Sequence, residues 1–357
     1  MFRQRTLSIE ALRVFSFLMV ILIHVSPEYA VGGNDNTTAL ILQTIARAGF
    51  ITFFIISGYF ALNEKIASVT SFYYKRLVAI IIPFLLYSYL HYFMVHNSFG
   101  ITSDLLKHVF SQETFIGYFT ALISGPARNG SMFVSNHFWF VYWIIGMYLV
   151  TPLIGPAIQK IKSENAFYVI IGLVAINCSF LYLNRFTSYG DVIFIPHLDG
   201  WFLYFILGGV IRHIDPYKYK KQAYVLLAVG ILSTVVVTYA NYNWWGINMA
   251  PYKDDLNMIV SALSIFYIFN SITLNNSTMR AVAFMAKYSY SMYLCHVFIY
   301  YYFNLRVKEL IHNTFLCSIV TAIIVFFTSL IVSIGIDTLI TNRMVSLLKN
   351  RITSRAA

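Results

Sequence analysis

Three ionisable residues stand inside the first apolar run of the chain, SIEALRVFSFLMVILIH: Glu10, Arg13 and His24. An imidazole titrates near neutral pH, so it can take or give a proton. A guanidinium stays charged and grips phosphates or carboxylates with a fork of donors. If the run is helical, Glu10 and Arg13 share a face one turn apart and can pair. Arg13 and His24 are eleven residues apart in the sequence. That is close to three helical turns, which puts both on nearly one face, about 16 Å apart along the axis. An arginine at the centre of a membrane helix costs about 3 kcal/mol, so groups of this kind normally face a cavity or a partner. A buried ion pair plus a histidine bonded to a neighbouring carbonyl is the structural alternative for the same residues.

Other runs carry weaker signals. RAGFITFFIISGYF holds Arg47, Ser57 and Gly58. Small residues let helices approach closely, which accounts for Ser57 and Gly58 but not for Arg47. YYKR places Lys75 and Arg76 at the start of the third run, where basic side chains either snorkel to the membrane surface or hold a phosphate. HFWFVYWIIGMYLVTP opens with His137, followed by Trp139, Tyr142 and Trp143 in the manner of an aromatic belt. YSYSMYLCH places His296 within an apolar run, where a lone histidine reads as structural. Asp199 and Asp337 lie near or inside runs and suggest no role. Cys178, Cys295 and Cys317 lack paired or metal-like spacing and read as small buried side chains. No zinc-type histidine motif, Gly-rich phosphate loop or GxSxG elbow occurs, so no metal is expected and ATP-driven chemistry has no support.

These groups must be positioned by membrane helices. Of the 357 residues, 59% are hydrophobic and only 11% charged, against about 25% charged in soluble domains. Apolar runs recur along the chain, each long enough to cross a hydrocarbon core, and without water their backbones must be helical. The expected spans are 8–26, 44–62, 77–95, 137–158, 166–183, 199–212, 222–240, 256–274, 288–305 and 314–341, the sixth short and the last long. The fold class expected is an all-α integral membrane bundle of about ten helices. Basic residues set the orientation. With the N-terminus inside, cytoplasmic segments hold 17 lysines and arginines and the opposite segments six: Lys107, Arg128, Arg185, Lys253, Arg306 and Lys308. This predicts both termini inside.

The net charge of +11 is spread in short clusters between runs, not along one basic face, which argues against nucleic acid as a partner. Glu10 and Arg13 break the purely apolar core that a cleaved signal peptide needs, so the first run is read as a retained span. A mixed segment from Asp104 to Ile123 is expected to lie at the membrane interface. A single transmembrane domain over 1–357 is expected, with no separate soluble domain.

The motifs together resemble the acyltransferase 3 superfamily of multi-span bacterial membrane enzymes. Glu10, Arg13 and His24 match its first-helix pattern of acidic residue, x-x, arginine, ten residues, histidine. Arg47, Phe53, Phe54, Ser57, Gly58 and Tyr59 match its second helix; Lys75, Arg76, Ile82 and Pro83 its third. The segment from His137 is similar to the family's H-[LF]-W-F segment, and SYSMYLCH to its penultimate S-[IM]-Y-L-x-H segment. Ala79 stands where the family often has a further arginine, and Ile51 where it often has proline. The resemblance implies transfer of an acyl group, usually acetyl from acetyl-CoA as co-substrate, to a hydroxyl of a cell-envelope glycan or a polyprenyl-linked sugar. It implies a multi-pass protein of the bacterial cytoplasmic (inner) membrane that modifies surface polysaccharide. His24 and Arg13 would be catalytic. Arg13, Lys75 and Arg76 would bind the acyl-CoA, and Glu10, Arg47, Ser57, His137 and His296 would support them. The competing class is a polysaccharide exporter or flippase, but no inverted repeat of the kind transporters often carry is visible.

Overall fold

The computed structural model describes residues 2–33, 35–96, 109, 111–125, 134–187, 198–247, 249–273 and 275–346. Lys107, Arg128, Lys349, Arg351, Arg355 and the beginning of the mixed segment at Asp104 lie outside the described residues. Each expected span is helical over most of its described length, because a backbone without water must bond to itself. Among the described residues the α-helices are α1 (Phe2–Val25), α2 (Asn36–Ala61), α3 (Val69–Arg76), α4 (Ile82–His96), α5 (Gln112–Ser124), α6 (Trp139–Gln159), α7 (Ser163–Phe186), α8 (Gly200–Ile211), α9 (Lys220–Asn243), α10 (Leu256–Asn270), α11 (Asn276–Leu310) and α12 (Thr314–Ile336). Among the described residues, seven helical stretches are long and apolar enough to cross a membrane. The protein is therefore an all-α membrane protein. At 1.5 Å per residue, α8 and α10 rise only about 18 and 22 Å, short of a hydrocarbon core of about 30 Å.

The chain forms two compact units interleaved in sequence. The first comprises Met1–Lys65, Val150–Lys287 and Arg306–Ile323. Within it α1 and α2 run antiparallel in a tight register. Ser16 and Thr52 share a hydroxyl hydrogen bond across the pair. A Cβ on Gly49 would stand 2.3 Å from the Met19 Cγ, so a larger residue there would push the helices apart. The α2–α8 crossing is closer still. A Cβ on Gly58 would stand 1.7 Å from the Phe205 carbonyl oxygen, and one on Gly208 would stand 2.1 Å from the Ile55 carbonyl oxygen. The expected close approach at Ser57-Gly58 is thus made by Gly58, while Ser57 is half-buried. α9 packs along α10, and α7 along α8. Asp199 caps α8, accepting from the Trp201 amide at 3.0 Å and from Lys253 Nζ at 3.0 Å. Arg185 forks onto the buried Asp255.

The second unit comprises Ile66–Leu149, Tyr288–Leu305 and Ile324–Ala357. α3 passes into α4 through a single π turn, Leu77–Ile81, immediately before Pro83. A proline inside a helix has no N–H to donate and its ring clashes with the carbonyl four residues back, and a wider turn relieves both. A second π turn, Asp337–Thr341, follows α12. Asp337 is buried there and accepts from Tyr87 at 3.0 Å and from Ser291 at 2.7 Å, which pins α4 and α11 to the end of α12. In α5, Tyr118 and Ala121 point inward while Phe115, Ile116, Phe119 and Ile123 are exposed, the amphipathic pattern of an interfacial helix.

Candidate active site

In the first unit the functional groups gather where α1 ends. His24 is the penultimate residue of α1, and its side chain is exposed although Leu22 and Val25 beside it are buried. The helix end that carries it is held from two sides. From α2, the two N–H groups of the Gln43 amide are shared among the carbonyls of Ile23 at 3.1 Å and Pro27 at 3.3 Å and the Ser26 hydroxyl at 3.1 Å. From α12, the Ser318 hydroxyl, bonded to the Thr314 carbonyl at 2.8 Å, also lies 3.3 Å from the Val25 carbonyl. Gln43 has one more polar atom, its carbonyl oxygen, and this accepts from Arg47 Nε at 3.0 Å. One buried amide therefore fixes both the backbone around His24 and the guanidinium one turn further along α2.

Arg47 lies within Coulombic reach of His24. Its guanidinium sits 5.0 Å from the centroid of the Tyr252 ring, a cation–π contact, and 3.8 Å from the Glu28 carboxylate. The Arg47 side chain is 31% exposed and that of Glu28 85%, so the pair is a loose one that leaves donors available. Burial raises the Tyr252 phenol above its usual range, opposed by the neighbouring Thr44 and Thr238 side chains and by the Arg47 charge. Tyr252 therefore stays protonated and neutral, an aromatic wall for the guanidinium. The arrangement pairs an accessible imidazole with a fixed cation. Such a pair can remove a proton from a hydroxyl and stabilise negative charge developing on a nearby oxygen.

Arg13 and Glu10 are half-buried further back on α1. The uninterrupted helix keeps Arg13 on the His24 face, about 16 Å away along the axis. The cation next to His24 is thus Arg47, and Arg13 occupies a separate position on the same face.

The second unit brings together three further histidines, His91, His137 and His296. His137 packs its ring 5.3 Å from that of His296 and 5.1 Å from that of His91. His296 Nδ1 lies 2.6 Å from the Tyr293 carbonyl, which can only accept, so Nδ1 carries the proton. The Tyr293 hydroxyl donates to the His137 carbonyl, and Ser135 Oγ lies 2.6 Å from His137 Nδ1. All three rings are buried, at 5%, 5% and 0% exposure for His91, His137 and His296. Of these four histidines, His24 is the exposed one. Lys75 is exposed, whereas Arg76 lies 4.8 Å from the Phe72 ring and 4.9 Å from the Tyr148 ring, stacked between two aromatics.

Gln43, Tyr252 and His91 were not among the sequence candidates. Gln43 had a local signal, since it precedes Arg47 by four residues and so shares its helix face. Tyr252 and His91 had none, because their partners are distant in the chain.

The chain matches the family described as "Acyltransferase domain" over residues 6–338, nearly its whole length and both units. No curated protein and no solved structure matched it. An exposed imidazole beside a fixed guanidinium, at the end of the helix that carries the E-x-x-R-x10-H pattern, fits that match, and the chain belongs to the acyltransferase 3 superfamily of membrane acyltransferases.

Proposed function

We propose that this protein moves an acetyl group from acetyl-CoA to a hydroxyl of a cell-envelope carbohydrate, a surface polysaccharide or its polyprenyl-linked repeat unit. In this reading it is a single ten-span domain with both termini inside, set in the cytoplasmic membrane of a bacterium. The observation that supports it is the His24–Gln43–Arg47 arrangement, in which one amide holds both an accessible base and a cation. His24 takes the proton from the acceptor hydroxyl as that oxygen bonds to the thioester carbonyl carbon. Arg47 steadies the resulting oxyanion. When the carbon–sulfur bond breaks, His24 returns the proton to the departing thiolate. Arg13, with Lys75 and Arg76, serves the phosphates of the donor, and Glu10, Ser57, His137 and His296 support the helices that carry these groups.

The test is labelled acetyl transfer from acetyl-CoA to envelope glycan in membranes carrying the unaltered chain or His24→Ala. General acid–base groups contribute roughly 10²- to 10⁴-fold, so a loss of that size is expected. Full transfer by the variant would remove His24 from its central role. Envelope glycan from a deletion strain should lose the mass of one acetyl group per repeat unit. Normal acetylation with failed surface display would point instead to an exporter.

A further inference from the structure

The first unit contains a cavity of about 700 Å³ away from His24 and Arg47, formed where α7 and α9 flank α10. Three regular stripes line it. From α7 come Phe167, Ile170, Ile171, Val174, Ala175 and Cys178, spaced three and four residues apart and so on one helix face. α9 and α10 present matching stripes, including Leu226 from the one and Val260 and Leu263 from the other. The walls are almost wholly apolar. The α7 stripe runs from Phe167 to Cys178, a rise of about 16 Å. This is about half of a hydrocarbon core of some 30 Å, the depth of one leaflet. Of the most apolar stretches of α7 and α9, only 22% and 28% are buried within the protein, so the cavity adjoins largely exposed apolar helix faces.

One end of the cavity is charged. Tyr219 and Tyr267 close it, with the Tyr219 amide donating to the Tyr267 hydroxyl at 3.0 Å and the Tyr219 ring stacked 5.6 Å from Phe167. Lys218 stands over the Tyr219 ring, its Nζ 5.0 Å from the centroid, and Lys220 and Lys221 follow directly in the first turn of α9. Lys218 and Lys221 are exposed. The nearby Asp215 carboxylate accepts the Tyr217 amide at 2.9 Å and offsets one of these three charges. An apolar slot one leaflet deep, ending in a net positive rim, matches a molecule with a hydrocarbon chain and an anionic head.

We propose that this cavity is a binding site for an anionic phospholipid of the surrounding membrane, its acyl chain lying between α7 and α9 and its phosphate head at Lys218, Lys220 and Lys221. The occupant is drawn from the bilayer that already bathes both helices, and the lysines select its charge. The site is separate from the acyl-transfer site and its test needs no activity measurement.

The experiment uses full-length protein, delipidated in detergent and titrated with phosphatidylglycerol or phosphatidylcholine of identical chains, read by native mass spectrometry. The unaltered chain should retain phosphatidylglycerol at least tenfold better. The variant Lys218→Gln/Lys220→Gln/Lys221→Gln should bring the two lipids to the same level. Leu263→Trp or Val260→Trp, each filling the slot, should lower retention of both, with a monodisperse elution profile showing that the fold is kept. Should one filling variant fail to fold, the other and the surface glutamine variant carry the test. Equal retention of the two lipids by the unaltered chain, or retention untouched by the glutamine and filling variants, would overturn the proposal.

Discussion

Helices α2 and α7 are about equally apolar, yet the protein treats them in opposite ways. Of the most apolar stretch of α2, 78% is buried within the protein, against 22% for α7. The difference lies in what each helix has to satisfy. α2 carries Gln43, Thr44, Arg47 and Thr52, and three of these, all but the half-buried Arg47, are buried. Each such group needs a protein partner, since hydrocarbon offers none. α7 carries few polar side chains in its middle and faces lipid with Ile171 and Ile176. Glycine use follows the same division. Gly58 on α2 sits against a backbone carbonyl, while a Cβ on Gly172 of α7 would meet nothing within 4 Å. Apolar character alone marks a helix as a span; only its polar residues and its glycines mark it as a core helix.

The comparison can be broken most directly at those glycines. Gly58→Leu forces side-chain atoms into the Phe205 carbonyl, so folded protein recovered from membranes should fall to little or none. Gly172→Leu should be recovered at the level of the unaltered chain, as measured by fluorescence-detected size-exclusion chromatography. Equal recovery would mean that α2 is no more tightly held than α7.

A smaller effect is expected at Arg47. Removing one donor to a developing oxyanion costs roughly 10²- to 10³-fold in other enzymes. Arg47→Gln should lower acyl transfer by that order with the elution profile unchanged. Loss of activity only through loss of folded protein would make Arg47 a structural residue of α2.

Gln43→Leu sharpens the comparison further. It removes the hydrogen bonds to the end of α1 and the one to Arg47. A hydrogen bond to a charged group is worth about 1.5–3 kcal/mol, so transfer should fall roughly ten- to a hundredfold. Gln43→Glu keeps an acceptor for Arg47 and should recover part of that loss. No recovery would show that Gln43 acts through the α1 backbone alone.

The sequence was most legible where the relevant physics is local. Apolar runs became helices near the expected positions, and the short sixth run became the short α8. α2 begins at Asn36, ahead of the expected boundary, which puts Arg47 three turns inside the helix rather than near its end. Thr37, Thr38 and Gln43 hide that extension from a reading of hydrophobicity alone. Gly58 was legible as a close-packing residue by its type, but not the carbonyl it meets, because that contact joins positions far apart in the chain.

The sequence by itself determined the membrane class, the helices and the face shared by Arg13 and His24, since a helix repeats every 3.6 residues whatever surrounds it. The tertiary structure decided that Arg47 is the cation beside His24 and that Gln43 joins them. It also decided that His137 and His296 are buried with His91, and that α2 is enclosed while α7 is not. Those outcomes depend on which helix packs against which, and at what register. In a membrane that choice is made by small residues and by polar groups seeking partners across helices, not by the hydrophobicity that every span shares.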